Sequence, residues 1–385
     1  MMNKYGRLAV ACLAGSYSVI THADINLNGF ATLAGGMTMS DDQSLHGYDD
    51  IPSFEQNSLL GLQVDSDLGE GLTATAQIIA RGSESWEPKF EWAYVGYQAN
   101  DHLKFLFGRQ RIPYYQYSDY LDVSFAYHWI TPPEGVYNLP FDSTNGVGAI
   151  ITNELGPFDS TLHLLYGRNQ EDLQVSGESV AADFQHQASV AWSLNWNWLT
   201  LRLGYSQSDL QIDVPAIENL AAAWGLAGFP EFTPRISAAD DDNSGSFTDV
   251  GITIDRDNLL IIAEYTDLSV DGTALVNTGE AYFASFGYRF GNIMPHITYG
   301  AGEDTPGDYT YLDMVPDGLD PGLDALKAGT VALYEGSRGE NEYYIFGVRW
   351  DFHSSAAFKV EYKSEKDKLM DETNNLLRFA IATVF

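Results

Sequence analysis

From Asp24 onward, apolar side chains recur at every second position, with small, polar or charged residues between them. Tyr344, Phe346, Val348, Trp350 and Phe352 take one parity, and Ile345, Gly347, Arg349 and Asp351 take the other. Phe358, Val360 and Tyr362 alternate with Lys359, Glu361 and Lys363; Tyr282, Phe286, Tyr288 and Phe290 oppose Ser285, Gly287 and Arg289. A period of two belongs to strands whose faces meet different surroundings. It predicts sixteen strands: 24–39, 57–66, 72–81, 89–98, 103–111, 146–154, 160–168, 184–195, 199–209, 246–255, 259–269, 280–290, 294–302, 341–351, 356–365 and 375–385. Their lengths fit the ~9–11 residues a tilted strand needs to cross hydrocarbon, and no stretch after residue 23 is the ~18-residue apolar run of a spanning helix.

The connections alternate in length. Short turns such as Asp67 to Gly71, Gln98 to His102 and Gly291 to Ile293 separate long Asp- and Gly-rich stretches, notably 112–145, 210–245 and 303–340. Short turns at one end and long loops at the other distinguish a membrane barrel from a water-soluble sandwich. An even strand number returns both termini to the short-turn end. Tyr (23) and Phe (20) are frequent, and rings such as Phe90, Trp92, Tyr94 and Tyr97 cluster at strand ends, where amphipathic aromatics settle at a membrane interface. The expected fold class is all-β: a transmembrane antiparallel β-barrel over 24–385.

Residues 1–23 read as a cleaved signal peptide: Lys4 and Arg7, an apolar stretch from Leu8 to Ile20, then Thr21-His22-Ala23. Cys12, the one cysteine, lies inside this leader with too short an apolar run before it for lipidation. The exported chain therefore carries no disulfide and no Cys-ligated metal. The formal net charge of −33 becomes about −35 once Lys4 and Arg7 leave. That acidity argues against nucleic acid as a partner, because phosphate binding needs Lys and Arg. It favours cations near the protein.

Other constellations carry less. Asp240, Asp242 and Ser244 match the first half of a calcium loop, but its twelfth position, which needs a bidentate Glu, is Gly251. The expectation is no cofactor, with a weakly bound surface calcium as the alternative; 317–324 is a fainter example. Pro215 to Phe229 suggests a short helix that caps the mouth or packs on the rim. An enzyme would need a His beside a Ser or Asp, and none of the seven His after residue 23 sits in such a signature.

Three segments resemble the sixteen-stranded trimeric porins of Gram-negative bacteria. They are the opening Asp24-Ile25-Asn26-Leu27-Asn28-Gly29-Phe30, the turn Asp67-Leu68-Gly69-Glu70-Gly71-Leu72-Thr73-Ala74, and the ending Phe379-Ala380-Ile381-Ala382-Thr383-Val384-Phe385. The resemblance implies an outer-membrane location amid lipid and lipopolysaccharide, a homotrimer, and Phe385 as a signal read by the barrel assembly machinery. It also implies that the third extracellular loop, here 112–145, folds into the lumen. The family's Pro-Glu-Phe-Gly-Gly stretch is absent from that loop, which is aromatic and acidic and holds no Lys or Arg. With Phe385 and Phe379 outward, Arg378 points inward, as do Arg81, Arg202, Arg289, Arg349, Lys359 and Lys363. Arg on the lipid side would cost ~2–4 kcal/mol at mid-bilayer. The expected constriction thus sets these arginines across an aqueous gap from Asp119, Asp122, Glu134 and Asp142. Arg109 and Arg111 share parity with lipid-facing Phe105 and Phe107: either a bulge near Gly108 resets the register or both lie above the hydrocarbon, and both are expected to join the cluster. The alternative for any one arginine is structural pairing, with Glu361 or Asp249. The function expected is passive diffusion of small hydrophilic solutes and ions with mild cation preference, or else a channel selective for sugars, oligosaccharides or organic acids.

Overall fold

A computed structural model describes residues 24–385 except 176–177, 241, 275–277 and 319; the expected leader 1–23 lies outside the described residues. Sixteen antiparallel strands close into one barrel. They are β1 (Asp24–Thr38), β2 (Leu59–Gly69), β3 (Leu72–Arg81), β4 (Pro88–Asn100), β5 (Leu103–Arg111), β6 (Ser143–Leu155), β7 (Phe158–Val175) and β8 (Glu178–Trp196), then β9 (Leu199–Ile212), β10 (Ser244–Arg256), β11 (Leu259–Asp271), β12 (Thr278–Tyr288), β13 (Ile293–Thr305), β14 (Gly339–His353), β15 (Ala356–Asp367) and β16 (Glu372–Val384). Each pairs with its neighbours in sequence, and β1 closes on β16 from Phe30 opposite Val384 to Thr38 opposite Leu376.

All sixteen predicted segments are strands, with ends shifted by a few residues. The largest departure is the β7–β8 hairpin, expected at 160–168 and 184–195 but paired from Asp159 with Asn195 out to Val175 with Glu178. Its upper part alternates buried Leu173, Val180, Ala182 and Phe184 with more exposed residues, so it continues a packed wall above the membrane. Parity holds around the barrel: Leu33, Phe107, Leu203, Phe286, Phe346 and Ile381 are exposed on the outside. Phe385 lies at the seam, its ring over Gly29 and its amide 2.9 Å from the Gly29 carbonyl.

The long loops are not featureless. Helix α1 (Pro215–Leu226), a single turn α2 (Thr233–Ile236) and α3 (Pro321–Glu335) fold over the long-loop end. Trp224, Phe232, Tyr311, Leu312 and Tyr334 form an apolar core there with the upper walls of β7–β9. α1 is the helix expected near 215–229, and it packs into this cap. α3 takes in residues 321–324 of the calcium-like stretch 317–324. Asp320 is its N-cap, accepting from the amides of Gly322 and Leu323 at 2.8 and 3.2 Å, with Pro321 in its first turn. Asp317 pairs with Lys327 at 2.8 Å.

Candidate pore constriction

β5 ends at Arg111 and the chain turns inward rather than outward. Residues 112–142 then cross the lumen, with Tyr114, Tyr115, Tyr117, Tyr127 and Trp129 buried among one another and against Phe247, Leu260, Ile262 and Phe283 of the wall. Edge contacts at 5.3–5.9 Å, such as Tyr117–Trp129 and Trp129–Phe283, make this an aromatic core inside the barrel.

The loop is pinned mainly by wall cations that reach its backbone. Arg202 donates to the Pro113 carbonyl at 2.6 Å, and Arg349 to those of Phe125 and Tyr127 at 2.8 and 2.5 Å. Lys359, fully buried, donates to the carbonyls of Ser124 and Trp129 and to the Ser124 hydroxyl. Arg111 reaches the Ser118 carbonyl at 3.3 Å. A tight inward loop leaves carbonyls without strand partners, and charged donors at fixed wall positions satisfy them. Further hydrogen bonds complete the seat: Trp129 Nε1 to Thr298 Oγ1 at 2.9 Å, the Gln116 amide to Glu264 at 2.9 Å, and the Ile130 amide to Glu361 at 2.7 Å.

The acidic residues divide into two groups. Asp122 joins Arg81 at 2.8 Å and Arg111 at 2.6 Å, and Asp142 lies 3.4 Å from Arg111. Glu134 binds Arg378 and, at 3.3 Å, Lys363. Burial pushes the Asp122 carboxyl up, but Arg111 and Arg81 outweigh it and hold it at about 2. Desolvation pushes the half-buried Glu134 the same way, yet Arg378 first and then Lys363 and His46 hold it well below the usual carboxylate range. Asp119 alone of the predicted loop acids stays exposed to the lumen. So the expected gap between a basic wall and an acidic loop is replaced by direct contact, because the loop is long enough to reach the wall it faces.

Arg109 corrects a second expectation. The β4–β5 and β5–β6 ladders run through Gly108 without a bulge, so Arg109 keeps its outward parity and donates to the Phe90 carbonyl at 2.8 Å. Gly108 has φ +131°, and a Cβ there would stand 2.3 Å from the Ala93 carbonyl. Arg111 does turn in, being the residue at which β5 becomes loop. The bulge sits instead in β4, where Gln77 pairs with Trp92 and Ile78 with Phe90, skipping Glu91. Glu91 is thereby buried beside Arg81 at 2.5 Å and Arg111 at 3.4 Å. Sequence reasoning missed it because bulges break the parity that signals inward charge. Arg378–Glu361 at 3.0 Å and Arg202–Asp249 at 2.8 Å are the structural pairings that parity left open. His128 and Ser285, 2.9 Å apart, form a contact no motif announced.

Beneath the loop, at the short-turn end, lies a cavity of about 620 Å³. Its charged lining is Asp119, Asp255, Asp351, Arg202, Arg289 and Arg349. Arg289 pairs with Asp255 at 2.6 Å and Arg349 with Asp351 at 2.8 Å. The Asp255 and Asp351 side chains are 50% and 42% exposed, against 34%, 13% and 10% for Arg289, Arg349 and Arg202. The carboxylates face water and most of the guanidinium surface faces protein. At the calcium candidate, Asp240 accepts from the Asp242 amide at 3.0 Å, Ser244 opens β10, and 241 lies outside the described residues.

The sequence matches the family model described as Gram-negative porin over residues 8–369. The chain belongs to that family. Its place is therefore the bacterial outer membrane, where it forms a channel. Solved structures agree on the fold. OmpF of Salmonella typhi, in complex with daunomycin, is 13% identical with TM-score 0.59, covering 94% of this chain and 97% of that one. An anion-selective porin from Comamonas acidovorans is 13% identical with TM-score 0.58, covering 94% and 100%. A trimer form of OmpT, an outer membrane protein of Vibrio cholerae, is 12% identical with TM-score 0.55, covering 94% and 99%. No curated protein sequence matches.

Proposed function

We propose that this porin is a passive diffusion channel for small hydrophilic solutes and ions, constricted by residues 112–142 and mildly cation-selective. One observation carries the proposal: water-facing carboxylates line the lumen cavity, while wall guanidiniums are held by loop carbonyls and acids. A cation entering meets Asp119, which holds no wall cation, and then the water-facing side of the Asp255–Arg289 and Asp351–Arg349 pairs. The alternative, a sugar channel, needs ring faces open to solute. Tyr114, Tyr115, Tyr117 and Tyr127 are at most 6% exposed, whereas Tyr120 is 38% exposed. The proposal includes no catalysis: His128 approaches Ser285, but its Nδ1 has no partner among the described residues to orient it.

The proposal extends to assembly. A homotrimer is supported by the trimer form of the Vibrio cholerae protein. Phe385, outward and at the seam, suits recognition by the barrel assembly machinery, and the outer face suits lipid and lipopolysaccharide. Liposome swelling with neutral sugars of rising size tests the transport mode. Rates should fall smoothly with size and stay proportional to concentration; saturation with one sugar would overturn passive diffusion in favour of the selective channel.

A further inference from the structure

The seat of the third loop holds two imidazoles that diffusion does not use. His128 of the loop and His296 of β13 meet edge to face with ring centroids 4.5 Å apart, and His128 also lies 3.8 Å from the Trp129 ring. They are 2% and 6% exposed. His128 Nε2 reaches Ser285 of β12, whereas its Nδ1 and both His296 ring nitrogens have no hydrogen-bond partner among the described residues.

The charged side chains that bear most on His128 are cations: Lys359 from β15, Arg349 from β14 and Arg289 after β12. The carboxylates of that wall are engaged elsewhere. Glu361 holds Arg378 and the Ile130 amide, Asp351 holds Arg349, and Asp255 holds Arg289. On the loop side the neighbours Tyr127 and Trp129 are uncharged. An imidazolium formed here would be buried, beside cations, with no acid to receive it.

We propose that the His128–His296 contact is an acid-sensitive latch: neutral rings seat residues 124–131 on β12–β15, and protonation of either ring expels that segment from the wall. This rests on the loop being the constriction, since only then does its release alter the channel. Burial first, then His296 and the three cations, hold the His128 imidazole well below its ordinary value. The seated loop therefore binds fewer protons than the released one, so acid favours release. The effect is absent above the ordinary histidine pKa of about 6.5 and grows below it, by up to about tenfold in the released-to-seated ratio per pH unit for the His128 ring. The acidic pin Asp122 keeps its charge to about pH 2 and does not share this window.

The test uses the full-length porin in vesicles. Cys12 is the one cysteine of the sequence, so Ile130→Cys in a Cys12→Ser background places one thiol in the buried seat. Its modification by 2,2′-dithiodipyridine, which reacts with thiols in acid, is followed at pH 7.5 and 5.0 relative to a free thiol. The expected result is at least a tenfold rise at pH 5.0, together with a new conductance level in planar bilayers. His128→Gln with His296→Gln in the same background should label at one rate at both pH values, whether slow or fast. A thiol protected at both pH values in the parent, or the full acid rise retained in the double Gln variant, overturns the latch. Acid labelling without any conductance change would keep the latch but remove the loop as the constriction.

Discussion

Arg378 shows how one position on the C-terminal strand sets the chemistry of the lumen. Parity fixed from Phe385 predicts it inward, and it is fully buried between Glu134 of the loop and Glu361 of β15. Replacing it with Met should leave Glu361 without its cation and Glu134 with Lys363 alone, and cost about 3–5 kcal/mol, the usual penalty for breaking a buried pair. Thermal unfolding in detergent checks this, with Arg168→Met as control. Arg168 pairs with Asp183 but is 53% exposed, so its loss should leave the transition unmoved. An unchanged transition for Arg378→Met would mean that the lumenal pair is hydrated. Inward arginines were legible because lipid enforces parity. Their partners were less so, because loop carbonyls carry no signature in the amino-acid code. Arg109 was misplaced for the converse reason: outside the hydrocarbon, at the end of β5, parity no longer forbids an outward charge.

The strands were legible as elements and the loops were not. A strand with one face in lipid repeats every two residues, whereas a loop folds by contacts distant in sequence. The cap illustrates this. Its α1 was visible from Pro215 and an apolar run; α3 carried an equally good signal in Asp320-Pro321 but shares its acidic composition with a metal loop. What joins the two is Trp224, fully buried, with Nε1 2.8 Å from Thr330 Oγ1 of α3. Trp224→Ala should cost the cap about 3–5 kcal/mol. Limited proteolysis should then cut within 213–243 and 306–338 while the barrel stays intact. Resistance equal to the parent would show that the cap does not depend on this contact.

For the molecule as a whole, the formal charge of −33 and the buried orientation of the lumenal arginines act in the same direction. Acidic loops at the mouth concentrate cations, and the cavity below the loop presents carboxylates to water. Both effects are screened beyond ~8 Å at physiological ionic strength, so the preference should be modest and should fade with salt. The sign proposed for this preference rests on composition; its location could not be read there, because it depends on which charges the loop covers. The reversal potential across a KCl gradient in planar bilayers measures it directly. It should show potassium favoured over chloride at about 0.1 M, near-equality at about 1 M, and a reduced preference in Asp119→Asn. Chloride preference, or a reversal potential indifferent to Asp119→Asn, would contradict a lumen whose free charge is carboxylate.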